Sequence, residues 1–354
     1  MKHDQRQGKM GTQRATSNIL ERYRPSIREA LYENLAAYDS SPYDLIRYYM
    51  GWTNLSGDVA IGSEGKGLRP SLCLFSCEAV GGVANDAMPA AVALEFIHNF
   101  SLIHDDIQDK DEFRHGRETL WKIWGIPKAL MAGNVLKVLS DHCLMQLITR
   151  DIGFNRVICV VERLTEACLT MIEGQSLDIF YEGNYTVSLE EYFNMISRKT
   201  GALIQCSMEI GATIGTEDHN LIETLRDIGT SLGAMFQIRD DVLGIWGDEN
   251  LTGKPVGADI KRKKESFPLV FALAKATKNQ RELFFEIYKK EEIDDKDMHR
   301  VLDLMEDIGV RRRAYELTLD YHGAAKKSLK DSGLNSTVQN EFENLFGFLL
   351  ERTY

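Results

Sequence analysis

The chain has 354 residues, 44% of them hydrophobic, enough for a large buried core. Its 53 acidic residues outnumber 42 basic ones, and the formal net charge of −11 argues against nonspecific binding to nucleic acid. No uninterrupted apolar run reaches the roughly 18 residues that cross a bilayer, so a soluble, cytoplasmic protein with no transmembrane segment is expected.

The first stretch, "MKHDQRQGKMGTQRATSN", is polar and lacks the apolar core of a secretory signal. Residues 1–15 are expected to be a disordered lead-in and 16–354 a single all-α domain. Apolar residues recur at three and four, as in "RVICVVERLTEACLTMIEGQSLDIFY", and alternating strand patterns are scarce. This periodicity predicts helices over 16–38, 68–81, 86–110, 128–149, 154–182, 188–214, 218–246 and 259–276, then shorter ones. The stretch from Asp39 to Asp44 and the segments "GSEGKG", "EGNYTVS" and "GDENLTGKPVG" carry turn residues and read as loops. "KKEEIDDKDMHR" reads as a solvated charged helix and loop. The six cysteines (Cys73, Cys77, Cys143, Cys159, Cys168, Cys206) have no C-x-x-C spacing and sit in apolar contexts, which predicts buried, reduced thiols.

Two helices end in carboxylates. In "SLIHDDIQDKDEFRHGRET", Asp105, Asp106 and Asp109 follow the spacing D-D-x-x-D. Positions i and i+4 share a helix face, so Asp105 and Asp109 point the same way, one turn apart. They repel each other, and they crowd the negative end of the helix dipole. A hard cation resolves the conflict, and Mg²⁺ suits oxygen ligands that it bridges to phosphates. Asp240 and Asp241 close a second apolar helix, with Gly244 at the third place of the pattern. Two such helices suggest facing carboxylate walls across a bundle cavity. Cations recur near glycine loops: Lys66 and Arg69, Arg114 and Arg117, Lys199 beside Thr200, Lys254, and Lys264. Acidic walls, basic loops and an apolar cavity together describe a Mg²⁺-bridged diphosphate with an apolar tail.

From about Gly65 onward these residues resemble the trans-isoprenyl diphosphate synthases. The likeness is carried by "GKGLRP", "HNFSLIHDDIQD", "GQSLD", "KTGAL" and "FQIRDDVLGIWGD…TGKPVGADIKRKKESFP", in that order. The resemblance implies a bundle of antiparallel helices around a central cavity, a homodimer, and three Mg²⁺ ions. Asp105, Asp109 and Asp240 would hold the metal, with Asp106, Asp241 and Gln237 assisting. Asp105, Asp106, Asp240 and Lys199 would form the catalytic group. Arg114, Lys199, Thr200, Lys254 and Lys264 would grip the allylic diphosphate. Lys66, Arg69 and His98 would hold isopentenyl diphosphate, and Phe100 and Ser101 would set chain length, with C20 (geranylgeranyl diphosphate) the expected product.

The chain departs from that family pattern at three places: His115 for a second arginine, Glu118 for proline, and Asn134 for aspartate. A histidine is mostly neutral near pH 7 and cannot form a bidentate fork. The departure opens an alternative, a terpene cyclase on the same fold that ionises a C15–C25 diphosphate. A non-catalytic subunit of a heteromeric synthase is a minor alternative, disfavoured by the two intact acidic motifs.

Overall fold

The computed structural model describes residues 18–60, 65, 67–248 and 255–351. Most of them are helical, and the described strands amount to one small hairpin, Phe113–Arg114 paired with Arg117–Glu118. The elements are α1 (Asn18–Ala36), α2 (Ser41–Tyr49), α3 (Leu68–Ala79), α4 (Met88–Gln108), α5 (Leu120–Trp124), α6 (Ile126–Met145) and α7 (Phe154–Tyr181). They continue with α8 (Leu189–Ile196), α9 (Ala202–Gly215), α10 (His219–Trp246), α11 (Ala258–Lys261) and α12 (Phe267–Lys275). The last four are α13 (Lys278–Tyr288), α14 (Asp295–Ile308), α15 (Val310–Asp331) and α16 (Ser336–Glu351).

The strongly periodic segments fold as expected, because each buries an apolar stripe. Helix α3 is buried along almost its whole length, and α4 is buried from Pro89 to Ile97. Helix α4 packs on α6 and α3, α3 on α9, and α9 on α7 and α10. Helix α10 joins two apolar cores. Leu225, Ile228, Leu232 and Met235 belong to the larger, and Ile238, Val242 and Ile245 to the smaller, with α8 and α12. All six cysteines are unbridged, and five are buried.

Four expectations need correction. The stretch from Asp39 to Asp44 is not all loop: Ser40 precedes α2, and Pro42 sits in its first turn, where a missing N–H costs no hydrogen bond. The helix expected over 188–214 contains a π-helical turn, Ser197–Gly201, between α8 and α9. The helix expected over 259–276 is two helices, because Pro268 starts a new one at α12 and the chain breaks after Lys261. The "KKEEIDDKDMHR" segment is only partly solvated. Asp297 is buried and paired with Lys290 and Arg300, while Ile293 and Met298 join the smaller core.

Candidate active site

A cavity of ≈ 1190 Å³ opens between α4, α7, the π turn, α10 and the loop after α11. Asp105 and Asp109 line it from α4, and Asp240 lines it from α10. The two acidic motifs therefore face one space rather than separate surfaces. Lys199, Thr200, Gln237 and Lys264 line it too. Lys66 and Lys254 lie outside the described residues.

Helix α4 ends at this wall: the backbone N–H of Asp109 closes the last turn on the carbonyl of Asp105 (2.8 Å). The Asp105 carboxylate accepts from Lys199 Nζ at 3.2 Å and stands 3.8 Å from Arg114. Burial, then repulsion from Asp105, pushes the Asp109 carboxyl up to about 6. Lys199 reaches across because of the π turn, a feature that often marks a functional site. Gly174 of α7 makes this possible. A Cβ there would stand 2.2 Å from the Lys199 backbone nitrogen, so only glycine lets the two segments meet. Lys199 also donates to Asp178, one helical turn beyond Gly174.

On the opposite wall, burial works against the charge of Lys264. Asp259, Asp241, Asp240 and Asp178 outweigh it and hold the ammonium pKa above its usual range. The members of each Asp–Asp pair do different work. Asp241 is buried and fully used: its Oδ2 accepts from the Tyr192 hydroxyl and from the Phe267 N–H (2.8 Å), and its Oδ1 accepts from Gln237 (2.8 Å). Gln237 in turn accepts from Thr200 (2.6 Å). Asp106 is likewise buried, 1% exposed, and turned from the cavity toward Arg114, whose Nε donates to it at 2.6 Å. Burial raises its carboxyl to about 7 against the pull of Arg114. The outward members, Asp105 and Asp240, line the cavity.

The donor set fits magnesium. It consists of carboxylate oxygens, the hard ligands that ion prefers. Among the described residues no three His, Cys, Asp or Glu side chains close around a point to hold an ion alone. Mg²⁺ commonly binds through one or two carboxylates completed by substrate phosphates and water, and this open arrangement suits that mode.

A second, narrower pocket lies behind Arg114. Arg69 of α3, Glu95 and His98 of α4, Tyr49 of α2, and Arg114, His115 and Arg117 of the hairpin border one or both pockets. Burial, then the charges of Arg69, Arg114 and His115, keeps the His98 imidazole well below its normal pKa, hence neutral at pH 7. Arg69 is pulled down to about 10 by burial, opposed by Glu95. His115 sits at the hairpin tip with φ 51°, a left-handed conformation that histidine accepts better than most residues. Arg117 fastens the hairpin by donating to the Thr53 carbonyl (2.6 Å) and stacking over Tyr48 (4.0 Å). The Tyr48 hydroxyl donates to the carbonyl of Glu118 (3.1 Å).

Below Asp105 the wall turns apolar. Phe100, 8% exposed, packs edge-on against His104 at 4.8 Å, and Ser101 turns its hydroxyl back to the His98 carbonyl (2.7 Å). Met171, Ile172, Leu203 and Phe236 continue the lining, and Asn134 enters from α6. Sequence reasoning listed neither Asp178 nor Asp259 nor Tyr192 nor Tyr49 among the site residues. Asp178 had a signal, one turn after the glycine of "GQSLD"; the others act through contacts between distant segments.

The polyprenyl synthetase family model matches residues 51–305. A geranylgeranyl diphosphate synthase of Mycobacterium tuberculosis is 36% identical over 72% of this chain and 72% of its own. A short chain isoprenyl diphosphate synthase of Methanothermobacter thermautotrophicus is 35% identical over 95% of this chain and 98% of its own. The crystal structure of a polyprenyl synthetase from Streptomyces coelicolor superposes with a TM-score of 0.87 at 34% identity, covering 94% and 98% of the two chains. The chain belongs to the polyprenyl synthetase family and is a prenyltransferase of the isoprenyl diphosphate synthase type.

Proposed function

We propose that the enzyme condenses an allylic isoprenyl diphosphate, farnesyl diphosphate foremost, with isopentenyl diphosphate to give the C20 product. The carrying observation is the single cavity shared by Asp105, Asp109 and Asp240, cationic at its mouth through Lys199 and Lys264 and apolar beyond Ser101.

Lys199, Lys264 and Arg114 stabilise the negative charge that grows on the diphosphate as the allylic C–O bond breaks. Mg²⁺, held through Asp105, Asp109 and Asp240, would supply further charge neutralisation on that leaving group. Asp241 and Asp106 serve as anchors: one ties α10 to α12, the other fixes Arg114. The allylic cation lies against Met171, Leu203 and Phe236, a lining that keeps water from quenching it. The double bond of isopentenyl diphosphate, held by Arg69, the neutral His98 and Arg114, attacks the cation. The proton then lost passes to a pyrophosphate oxygen. Phe100 and Ser101 limit how far the growing tail extends.

The second pocket favours this two-substrate reading over cyclisation. It keeps Arg114 and Arg117 at its border although His115 replaces an expected arginine, and Arg69 lines the adjoining cavity. A homodimer belongs to the proposal as well. Exposed apolar side chains gather on α6 and α7, among them Met131, Val138 and Met145, spaced by sevens, and Phe154, Ile158 and Leu169. A patch of that kind marks a protein interface. No helix of the described residues is long and apolar enough to cross a membrane.

The test supplies farnesyl plus isopentenyl diphosphate with Mg²⁺, and separately geranylgeranyl diphosphate alone, with products read by mass spectrometry. A linear C20 diphosphate in the first incubation is expected. A hydrocarbon or alcohol in the second without elongation in the first would establish the cyclase instead, and no turnover in either would point to a non-catalytic subunit.

A further inference from the structure

The pocket behind Arg114 is not bounded by α4 and the hairpin alone. Helix α1 also borders it, through Arg24, Ile27, Arg28 and Leu31, which stand at i, i+3, i+4 and i+7 and so share one helical face. Ile27 and Leu31 are buried and seat that face against the protein. The helix is fastened elsewhere as well: Tyr23 donates to Glu78 of α3, and Arg22 pairs with Glu341 of α16 and stands 3.7 Å from Glu78. Arg24 and Arg28 are thereby held, exposed and one turn apart, at the edge of the pocket. Two like charges at that spacing repel each other. The Arg24 side chain makes no ion pair or hydrogen bond among the described residues. The other arginines at this pocket are already engaged, Arg114 with Asp106 and Arg117 with the Thr53 carbonyl. Of the carboxylates at its border, buried Glu95 faces the charge of Arg69, and Glu118 is exposed.

We infer that Arg24 and Arg28 bind the diphosphate of isopentenyl diphosphate, supplying from α1 the permanent positive charge that residue 115, a histidine, does not. The inference rests on reading this pocket as the isopentenyl diphosphate site. A diphosphate seated between the two guanidiniums relieves their repulsion, and each planar fork can make paired hydrogen bonds to phosphate oxygens. His115 borders the same pocket from the hairpin tip, so helix and hairpin address one anion. The fixed charge has moved from the hairpin to the N-terminal helix.

Arg24→Gln combined with Arg28→Gln removes both charges from an exposed helix face and keeps good helix formers there. The readouts are elongation of farnesyl diphosphate with isopentenyl diphosphate varied, titration calorimetry with isopentenyl diphosphate alone, and a thermal melt. The glutamine pair is expected to raise both the KM and the Kd for isopentenyl diphosphate at least about 10-fold, the scale of one lost charge-assisted contact. The KM for farnesyl diphosphate should stay within about threefold. Arg24→Lys combined with Arg28→Lys should lose less, since the charge stays and only the fork goes. Adding His115→Arg to the glutamine pair should recover the Kd to within about threefold of wild type, because the charge returns to the same anion. A folded glutamine pair with wild-type Kd overturns the inference and leaves the proposed function standing. An equal rise in both Michaelis constants overturns it too, by tracing the effect to the packing of α1. A wild type that neither elongates farnesyl diphosphate nor binds isopentenyl diphosphate overturns the underlying reading, and the inference with it.

Discussion

Replacing Gly174 by alanine tests how Lys199 is aimed. The added methyl would stand 2.2 Å from the Lys199 backbone nitrogen and 2.7 Å from both the Lys199 Cα and the Arg198 carbonyl carbon. Ordinary contact begins near 3.4 Å, so α7 and the π turn must part by about 1.2 Å, because backbone cannot swing aside as a side-chain tip can. A displacement near 1 Å in a group that grips the reacting diphosphate costs about 100-fold in rate. The overpacking itself costs about 1–3 kcal/mol of stability, which a domain stable by ~5–15 kcal/mol survives. Steady-state elongation of farnesyl diphosphate, beside a circular-dichroism melt, separates the two effects. We expect kcat to fall about 100-fold, while the KM for isopentenyl diphosphate stays within about threefold, because that pocket lies behind Arg114. A folded Gly174→Ala enzyme with wild-type kcat would refute the idea that this glycine sets the lysine.

The Asp240–Asp241 pair should divide cleanly. Asp241→Ala strands the Tyr192 hydroxyl, the Phe267 N–H and the Gln237 amide and should cost about 3–5 kcal/mol in a denaturant titration, whereas Asp240→Ala should unfold within about 1 kcal/mol of wild type yet lose turnover. His115→Arg should lower the KM for isopentenyl diphosphate. A charge-assisted contact contributes about 1.5–3 kcal/mol, roughly a 10-fold to 160-fold gain, while the left-handed backbone at 115 costs arginine about 1 kcal/mol of stability in free and bound enzyme alike. An unchanged KM would mean that His115 does not face the second diphosphate. Ser101→Phe should shorten the product and Phe100→Ala lengthen it, read by chromatography of the dephosphorylated alcohols; the same product from both would place the end of the pocket elsewhere.

Much of this site was legible because its parts are periodic or local. Helices α3, α4, α7 and α10 bury unbroken apolar stripes, so their period of 3.6 survives in sequence. The spacing of Asp105 and Asp109 is a one-turn relation that needs no tertiary knowledge. The π turn was not legible, because a single i→i+5 turn leaves no mark in composition, although it aims Lys199. The break before α12 was missed because the apolar run around Phe267 masked a proline that starts a helix. The division between outward Asp105 and Asp240 and buried Asp106 and Asp241 depends on distant partners, Arg114, Tyr192 and Phe267.

The central claim is that the carboxylates of α4 and α10 grip one diphosphate through shared divalent ions. The most direct measurement is a crystal structure of the enzyme with Mn²⁺ and an unreactive thio-analogue of farnesyl diphosphate, with anomalous scattering to locate the metal. The account predicts manganese peaks beside Asp105 and Asp109 and beside Asp240, all contacting the same diphosphate. A diphosphate bound with metal at only one wall, or in the pocket behind Arg114 with none, would contradict it.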